Sequence, residues 1–481
     1  MATPIVLLSP PAATLFQFPP HSEPHAIPPP SFNAPFRIPD NLYVNALDPK
    51  VPITIAAIYA VTAKALNAYN RSTGKKPWAI SKTKTFHFLV VLHNVFLAVY
   101  SAWTWLGMLN TFRNSIVSPA GPNGWAGTVD SICKIHGTAG LENGISYNQA
   151  RGLWEPSLGA GATNTMYSPS PDDRGRIWNE GLAFYGWIFY ISKFYEVIDT
   201  LIILAKGKYS STLQTYHHAG AMMAMWAGMR YMSTPIWIFV FFNSAIHALM
   251  YTYFTVTAFN VRVPQVVKRT LTSLQISQFI IGASVAIVHS FMSYLVPVQV
   301  EVATAEATAA ALSISASTSA TPSAASFVNG LKKTLFGAAE AAGAAAVVSS
   351  SEANSTHQGA NYVTQYQKVD CITTSGATFA IWLNVIYLAP LTYLFVSFFI
   401  TSYLRRSKAE VVRAKSNPDR RLSNVMLAEK ASWDAAKGLE REVYGESNEG
   451  AIIEDSDDST INDNLHPSSA ARANGVKSKA R

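Results

Sequence analysis

Long apolar segments separated by short polar ones fill most of this chain and predict helices that cross a membrane. A helix needs about 20 apolar residues to span the hydrocarbon core of a bilayer. Segments of that kind lie at 51–69, 86–108, 181–204, 213–232, 234–257, 272–297 and 377–403. Polar residues lower the hydropathy of the third and fourth segments, so hydropathy alone supports these two spans least. The pattern predicts an all-α integral membrane protein with seven transmembrane helices.

Three polar regions flank or interrupt these spans. Residues 1–50 are rich in proline and predict a disordered or extended arm. Residues 298–375 form an insert of low complexity between the sixth and seventh spans, and residues 405–481 form a charged tail. The predicted domains are therefore the arm, a seven-helix domain at 51–404 that contains the insert, and the tail.

Basic residues predict how the spans are oriented. They follow the first, third, fifth and seventh spans at Arg71, Lys75, Lys76, Lys82, Lys84, Lys206, Lys208, Arg262, Lys268, Arg269, Arg405, Arg406 and Lys408. Because positively charged loops stay in the cytosol, the N-terminus and the insert are predicted to be lumenal and the C-terminus cytosolic. The net charge of +8 is explained in the same way, so we expect no nucleic-acid partner.

Short motifs agree with this topology. Asn354-Ser355-Thr356 in the insert is an N-glycosylation acceptor, although an unused chance triplet is the alternative. Lys477 and Lys479 stand five and three residues from the carboxyl end, like a dilysine retrieval signal of the endoplasmic reticulum; a generic basic tail is the alternative. These motifs predict a multi-pass protein of that membrane.

The chain has two cysteines, Cys133 after the second span and Cys371 before the seventh. Both are lumenal in the predicted topology, and disulfides form in that oxidising compartment. The sequence therefore predicts a disulfide between them, with two free thiols as the alternative. Two cysteines are too few for a zinc site of the usual cysteine-rich kind.

Ionisable residues inside a span are costly unless they are paired or line a cavity, so they predict a functional site. Four spans carry such residues or their polar neighbours, mostly at helical spacings of three and four: Lys193, Glu196, Asp199 and Thr200; Gln214, His217 and His218; Asn243, His247 and Tyr251; Gln275 and Gln278. In the predicted topology they all lie in the cytosolic half of the bilayer, which predicts one polar site. His87, His93 and His289 are instead predicted to be ordinary span or interface residues.

The residue types favour a nucleophilic or acid–base histidine, because neutral imidazole can accept an acyl group or move a proton near neutral pH. A di-iron centre is excluded, since it needs many more histidines than this cluster has. A single metal on His217, His218 and His247 stays possible by ligand type. Neighbouring residues diverge by about 100° around a helix, however, so we predict no metal.

The order of these residues resembles a known family. Lys193-Phe-Tyr-Glu196-Val-Ile-Asp199-Thr200 is similar to the K-x-x-E-x-x-D-T motif of the ELO/ELOVL very-long-chain fatty acid elongases. The segment from Asn243 to Phe254 resembles that family's N-x-x-x-H-x-x-M-Y-x-Y-Y, with Phe254 in place of the last Tyr, and Thr272-x-x-Gln275-x-x-Gln278 resembles its T-x-x-Q-x-x-Q. The resemblance covers roughly residues 50–297 and 377–404.

One motif departs from the usual pattern. The family's H-x-x-H-H box is here Gln214-Thr215-Tyr216-His217-His218. The variant from Leu213 to Ala221 resembles elongases that act on polyunsaturated chains in fungi, algae and protists, and it loosely favours an unsaturated substrate. An amide cannot replace an imidazole as a nucleophile, so the candidates for that role are His217, His218 and His247.

The resemblance implies a 3-oxoacyl-CoA synthase, an acyltransferase that condenses a long-chain acyl-CoA with malonyl-CoA and needs no cofactor besides that co-substrate. It also implies a tunnel for the acyl chain between the helices. We assign nucleophilic attack to His217, orientation to His218 and His247, and charge control to Glu196 and Asp199. Oxyanion contacts are assigned to Gln214, Gln275 and Gln278, and further substrate contacts to Lys193, Thr200, Asn243 and Tyr251. Candidate CoA phosphate contacts are Lys206, Lys208, Lys268 and Arg269, for which a purely topological role is the alternative.

The implied partners are membrane lipids and the ketoreductase, dehydratase and enoyl reductase of the elongation cycle, and the sequence leaves a homodimer open. Two other functions remain. A seven-span receptor or transporter would place ligand residues near the lumenal face or the midplane. A catalytically altered family member is suggested by Gln214 and Phe254. Both alternatives predict no activity that depends on malonyl-CoA.

Overall fold

The computed structural model describes residues 6–31, 33–158, 169–261, 263–302, 348–349, 361–416, 423–428, 430–432 and 434. The chain separates into Met1–Gly445 and Glu446–Arg481, and all described residues belong to the first unit. Several predicted residues therefore lie outside the described part: Asn354, Lys477, Lys479, and the side chains of Lys268 and Arg269. The predictions made for them stay predictions.

Most of the described chain is helical. Its α-helices are α1 (Asp40–Ala46), α2 (Lys50–Ser72), α3 (Lys84–Ser115), α4 (Gly124–Cys133), α5 (Ala183–Tyr195), α6 (Val197–Ala205), α7 (Thr212–Arg230), α8 (Ile236–Ala258), α9 (Gln265–Phe291) and α10 (Ser375–Ser416). Short 3₁₀ turns lie at Ala13–Phe16 and Ala79–Lys82, and a π-helical turn at Trp178–Leu182 leads into α5.

Each predicted span coincides with a helix or, for the third span, with the pair α5 and α6, which is interrupted at Glu196. In the described part, five helices are long and apolar enough to cross a membrane: α2, α3, α8, α9 and α10. The two predicted spans outside this group are the third and fourth, which contribute Lys193, Glu196 and His217 to the site described below. The count of seven spans and their orientation remain predictions.

The prediction of an all-α fold is wrong, because the described chain also holds two antiparallel sheets. Their strands are β1 (Val6–Leu8), β2 (His136–Gly137), β3 (Gly144–Asn148), β4 (Leu153–Pro156), β5 (Met292–Val302), β6 (Val348–Ser349) and β7 (Asn361–Asp370). One sheet has the order β1-β5-β7-β6 and the other β2-β3-β4.

The sixth span also ends earlier than predicted, at Phe291 instead of residue 297. From Val296 onward, valines alternate with Pro297, Gln299 and Glu301, and this period of two is typical of a strand. Strand β5 pairs with β7 along its whole length, from Ser293 opposite Asp370 to Val302 opposite Asn361. The two ends of the predicted low-complexity insert are therefore strands.

Residues 6–31 and 33–49 of the arm pack on the helical core, so of the two alternatives, disordered or extended, the disordered one is wrong for them. Tyr43 and Leu47 are buried, and the Tyr43 hydroxyl donates to the Ala183 carbonyl at 3.1 Å. The Trp178 indole donates to the Ala26 carbonyl at 2.9 Å. Prolines lower the helical content of such a segment but leave its apolar side chains and carbonyls able to pack, which composition alone does not reveal.

Helix packing places the polar residues of the predicted spans on facing surfaces. Helix α3 runs along α8 and α9 along α10, while α7 packs against α2, α5 and α10. The main core lies between these helices and is rich in aromatic side chains, including Trp187, Tyr190 and Trp226. The indoles of Trp187 and Trp226 donate to carbonyls of the arm, which fixes α5 and α7 against it.

Two buried links join the sheets to the ends of the helices. Cys133 at the end of α4 and Cys371 just after β7 form a disulfide across 238 residues of chain. The Arg176 guanidinium Nη1 lies 2.7 Å from Asp130 Oδ2, and the Tyr294 hydroxyl donates to Asp130 Oδ1 at 2.6 Å. Arg176 and Asp130 are both almost fully buried, so each charge depends on the other.

We predict that Arg176→Met destabilises the protein by about 3–5 kcal/mol, because it leaves the Asp130 carboxylate buried and unpaired. The matched control is Arg174→Met, which removes a half-exposed guanidinium 3.6 Å from Glu180 and should cost about 0–1 kcal/mol. Thermal unfolding in detergent micelles measures both. Equal stability of the two variants would contradict the buried ion pair.

A second prediction concerns Glu23, which lies in the arm. Burial raises the pKa of Glu23 from 4.5 to about 8, and a hydrogen bond from the Thr374 hydroxyl at 2.7 Å opposes this only in part. The folded state thus holds a proton that the unfolded state has lost, so this group's contribution to stability falls as pH rises from 4.5 to about 8. Glu23→Gln should remove that fall.

Glu155→Gln is the control, because hydrogen bonds from Asn148 and Arg151 lower the pKa of Glu155. Melting temperatures across pH 5 to about 9 are the measurement, a range that brackets the pKa of buried carboxyls. Glu23→Gln should gain stability over the wild type only at the alkaline end, and Glu155→Gln should not. A constant difference at every pH would refute the titration of Glu23.

Candidate active site

One cavity, with about 530 Å³ of empty space, is lined by α5, α7, α8, α9 and α10 together with Glu196. Its polar lining residues are Lys193, Glu196, His217, Asn243, His247, Gln278, Asn384 and Tyr387. Its apolar lining residues are Phe189, Ala221, Met225, Ile238, Phe239, Phe242, Phe279 and Leu388. The cavity therefore joins a polar cluster to an apolar wall.

Lys193 and Glu196 form a buried ion pair at the floor of the cavity. The Lys193 ammonium donates to Glu196 Oε1 at 2.7 Å and to Asn243 Oδ1 at 3.0 Å. It also lies 4.1 Å from the ring centre of Phe189, within range of a cation–π contact. Each side chain of the pair is about 95% buried, so solvent compensates little of either charge.

Glu196 receives the Lys193 ammonium through a single oxygen. Its Oε1 atom accepts from Lys193 at 2.7 Å, and the Ser192 hydroxyl oxygen, which donates to the Phe189 carbonyl at 2.8 Å, lies 3.1 Å from it. His247 Nδ1 lies 3.6 Å from the same oxygen, which is too long for a strong hydrogen bond. The interruption between α5 and α6 occurs at Glu196, and such a break within a helix often marks a functional position.

Asn243 continues this network across the cavity. Its Nδ2 donates to Gln278 Oε1 at 3.2 Å, which links α8 to α9. This bond uses the oxygen of the Gln278 side-chain amide and not its N–H groups. Asn384 Oδ1 is buried and makes no hydrogen bond among the described residues, so this acceptor is available to a ligand.

His217 is held by Tyr387 of α10. The Tyr387 hydroxyl lies 2.9 Å from His217 Nδ1 and 3.1 Å from the His217 carbonyl oxygen. A carbonyl can only accept and a hydroxyl has one hydrogen, so both contacts are satisfied when Tyr387 donates to the carbonyl and Nδ1–H donates to the tyrosine oxygen. This assignment leaves the lone pair of the imidazole on Nε2.

Asp199 and Thr200 lie behind the cavity and do not line it. Asp199 Oδ1 is 2.8 Å from His93 Nε2, and Asp199 Oδ2 accepts from the Tyr251 hydroxyl at 2.5 Å. Thr200 and Tyr59 share a hydrogen bond of 2.9 Å. The ring of His218 packs against the ring of Tyr59, with centroids 6.1 Å apart. His218 is thus also absent from the cavity lining.

The prediction that His93 is an ordinary span residue is wrong, since it forms part of this layer. Ionisable residues inside predicted spans were the signal used for the other four segments. The same signal applies to His93, which lies inside the predicted second span. Asn384 and Tyr387 were missed as well. Their spacing of three in an apolar span places them on one helical face, which is the signal that could have identified them.

Two predicted oxyanion donors lie away from the cavity. Gln275 Nε2 donates to Met250 Sδ at 3.1 Å. Gln214 is fully buried, and neither polar atom of its side chain makes a hydrogen bond among the described residues. Neither residue lines the cavity, whereas Gln278 does. Helical spacing assigned each of the three glutamines to a face of its helix. It could not show which of these faces lines the cavity.

The predicted CoA contacts that the structure describes are Lys206, which is exposed, and Lys208, which is half-buried, both in the loop after α6. Neither lines the cavity. Within the described residues, no group of three or more His, Cys, Asp or Glu side chains could hold a metal ion.

Comparison with known proteins bears on this arrangement. The model of the GNS1/SUR4 family, also called ELO, matches residues 45–411. The chain belongs to this family. The match includes every cavity residue from Phe189 on α5 to Leu388 on α10.

Individual relatives match shorter stretches. The chain is 35% identical over 109 residues to the human very long chain fatty acid elongase 3, 29% over 123 residues to fatty acid elongase 2 of Trypanosoma brucei brucei, and 28% over 150 residues to long chain fatty acid elongase 1 of Caenorhabditis elegans. These stretches cover 23–28% of this chain and 40–51% of the relatives. The matches thus span about half the length of these relatives or less. No solved structure matches significantly.

Proposed function

We propose that this protein is a fatty acid elongase that condenses a long-chain acyl-CoA with malonyl-CoA. The observation that carries the proposal is the cavity, in which His217, His247 and the Lys193–Glu196 pair face an apolar wall. Membership of the GNS1/SUR4 family and the names of the matched elongases support it. The products would be a 3-oxoacyl-CoA two carbons longer, CO₂ and CoA.

The reaction would proceed in two steps on His217. Its Nε2 lone pair attacks the thioester carbon, the carbon–sulfur bond breaks, and CoA leaves as a thiolate that takes up a proton. The acyl group is then carried by the imidazole. Malonyl-CoA loses CO₂, and the enolate carbon attacks the acyl carbon, which breaks the carbon–nitrogen bond and restores the imidazole. Tyr387 supports the first step, because it holds the Nδ1 proton and leaves Nε2 free.

The other lining residues have roles that follow from their charge. The Lys193 ammonium is the one cation among the lining residues, so it would attract the malonyl carboxylate and stabilise the enolate oxygen. Amide N–H groups of Gln278 and Asn384 would donate to the developing oxyanion. His247 stands beside Glu196 and would orient the malonyl group during decarboxylation.

The apolar wall would hold the acyl chain. A tunnel across a hydrocarbon core of about 30 Å would accommodate roughly 18–20 carbons. The glutamine at position 214 loosely favours a polyunsaturated chain. We place the protein in the membrane of the endoplasmic reticulum with its C-terminus in the cytosol, where Lys206 and Lys208 could contact CoA phosphates.

The proposal is tested with purified protein and a labelled acyl-CoA. Acyl-CoA alone should label the protein at His217, and malonyl-CoA should then release the label as 3-oxoacyl-CoA. His217→Ala should abolish both results, while His87→Ala, which changes an exposed histidine, should change neither. Product without any labelled intermediate would refute the covalent route. Absence of product across saturated, monounsaturated and polyunsaturated chains would favour a receptor, a transporter or a catalytically altered family member.

We also predict that Tyr387→Phe lowers kcat by about 10- to 100-fold, because the His217 tautomer with a free Nε2 is no longer enforced, although full loss of the correct tautomer can cost more. The rate of acyl labelling by acyl-CoA alone should fall by the same factor. The control is Tyr393→Phe, an exposed tyrosine on the same helix. An unchanged labelling rate would contradict the role of Tyr387.

A further inference from the structure

A second layer of polar residues stands behind the cavity and is not explained by substrate contact. Its members are His93 on α3, Tyr195 on α5, Asp199 on α6 and Tyr251 on α8. None of the four lines the cavity. His93 and Tyr251 are buried, and a polar group held this deeply is costly unless it is fully hydrogen-bonded.

The hydrogen bonds in this layer form one continuous chain. His93 Nδ1 lies 3.3 Å from the Tyr195 hydroxyl, and His93 Nε2 lies 2.8 Å from Asp199 Oδ1. Asp199 Oδ2 accepts from Tyr251. Each carboxylate oxygen of Asp199 therefore has a hydrogen-bond partner in this layer. His93 Nε2 must carry a hydrogen for its contact to be favourable.

This series of hydrogen bonds ends at Tyr251, directly behind His247. The ring of Tyr251 meets the ring of His247 edge to face, with centroids 5.7 Å apart. On its other side, His247 Nδ1 faces Glu196 Oε1 in the cavity. His247 is thus placed between a carboxylate that lines the cavity and a tyrosine that does not. The hydroxyl of this tyrosine donates to Asp199, so the hydrogen-bonded layer reaches the ring that packs on His247.

We propose that His93 is a positioning residue: it holds Asp199 in the orientation that fixes Tyr251 behind His247. This proposal rests on the proposed elongase function and adds a residue outside its sequence motifs. The physical reason is that Asp199 has two rotatable bonds and is itself partly exposed, so a single hydrogen bond to Tyr251 would leave its carboxylate free to turn. The second donor, His93, removes that freedom.

The proposal predicts an effect on turnover and not on binding, because none of these residues touches the cavity. His93→Leu should lower kcat by about 10- to 100-fold, by analogy with outer hydrogen-bond partners of metal-bound histidines, and KM for acyl-CoA and malonyl-CoA should stay within about twofold. His93→Gln supplies an N–H of similar reach toward Asp199 and should restore most of kcat. His87→Leu, an exposed histidine earlier on α3, is the matched control and should behave as the wild type.

Steady-state elongation by purified variants, together with their melting temperatures and gel-filtration profiles, tests these expectations. The His93→Leu and Asp199→Asn changes should be non-additive, so that the double variant is no slower than the slower single variant. If His93→Leu fails to fold, Tyr251→Phe breaks the same chain at its other end with the ring kept, and it should lower kcat at constant KM.

The outcomes separate the two proposals. A wild-type protein without malonyl-CoA-dependent product overturns the elongase function and this inference with it. An active wild type together with folded His93→Leu or Tyr251→Phe variants of normal kcat overturns this inference alone. A folded His93→Gln variant as slow as His93→Leu also overturns it, because the donor to Asp199 would then not be the feature that matters.

Discussion

The buried ion pair of Lys193 and Glu196 is the interaction on which the site depends. A charge in an apolar helix bundle must be compensated locally, and here Lys193 donates both to Glu196 and to Asn243 of α8. Asn243 in turn binds Gln278 of α9. The need to pair one lysine thus links α5, α8 and α9 around the cavity. One side of the cavity is polar for this reason, while the opposite wall is apolar.

The three histidines of the predicted site differ in their contact with the cavity. His217 and His247 line the cavity, and each is supported by a different neighbour, Tyr387 for the first and Tyr251 for the second. His218 faces Tyr59 and lies outside the lining. The adjacent histidines point in different directions, because successive side chains on a helix diverge by about 100°. This divergence allows one histidine to meet a substrate while its neighbour packs between helices.

The sheets and the arm hold this bundle from one end. The Ala26 carbonyl accepts from Trp178 in the turn before α5, and the Tyr43 carbonyl accepts from Trp187 in α5. The disulfide from Cys133 to Cys371 holds the start of α10 near α4. Since α10 carries Tyr387, the covalent link and the tyrosine that holds His217 belong to one element. The position of the imidazole is therefore supported by contacts far from it along the chain.

The sequence by itself determined the helical segments and most of the polar cavity residues. Apolar length and period are local properties, and the cost of burying charge singles out Lys193, Glu196 and His247 without any structure. Tertiary packing decided which face of each helix meets the cavity, so it excluded Gln214 and Gln275 and brought in Asn384 and Tyr387. It also decided that His93 pairs with Asp199, because contacts between distant helices depend on packing that no local pattern encodes.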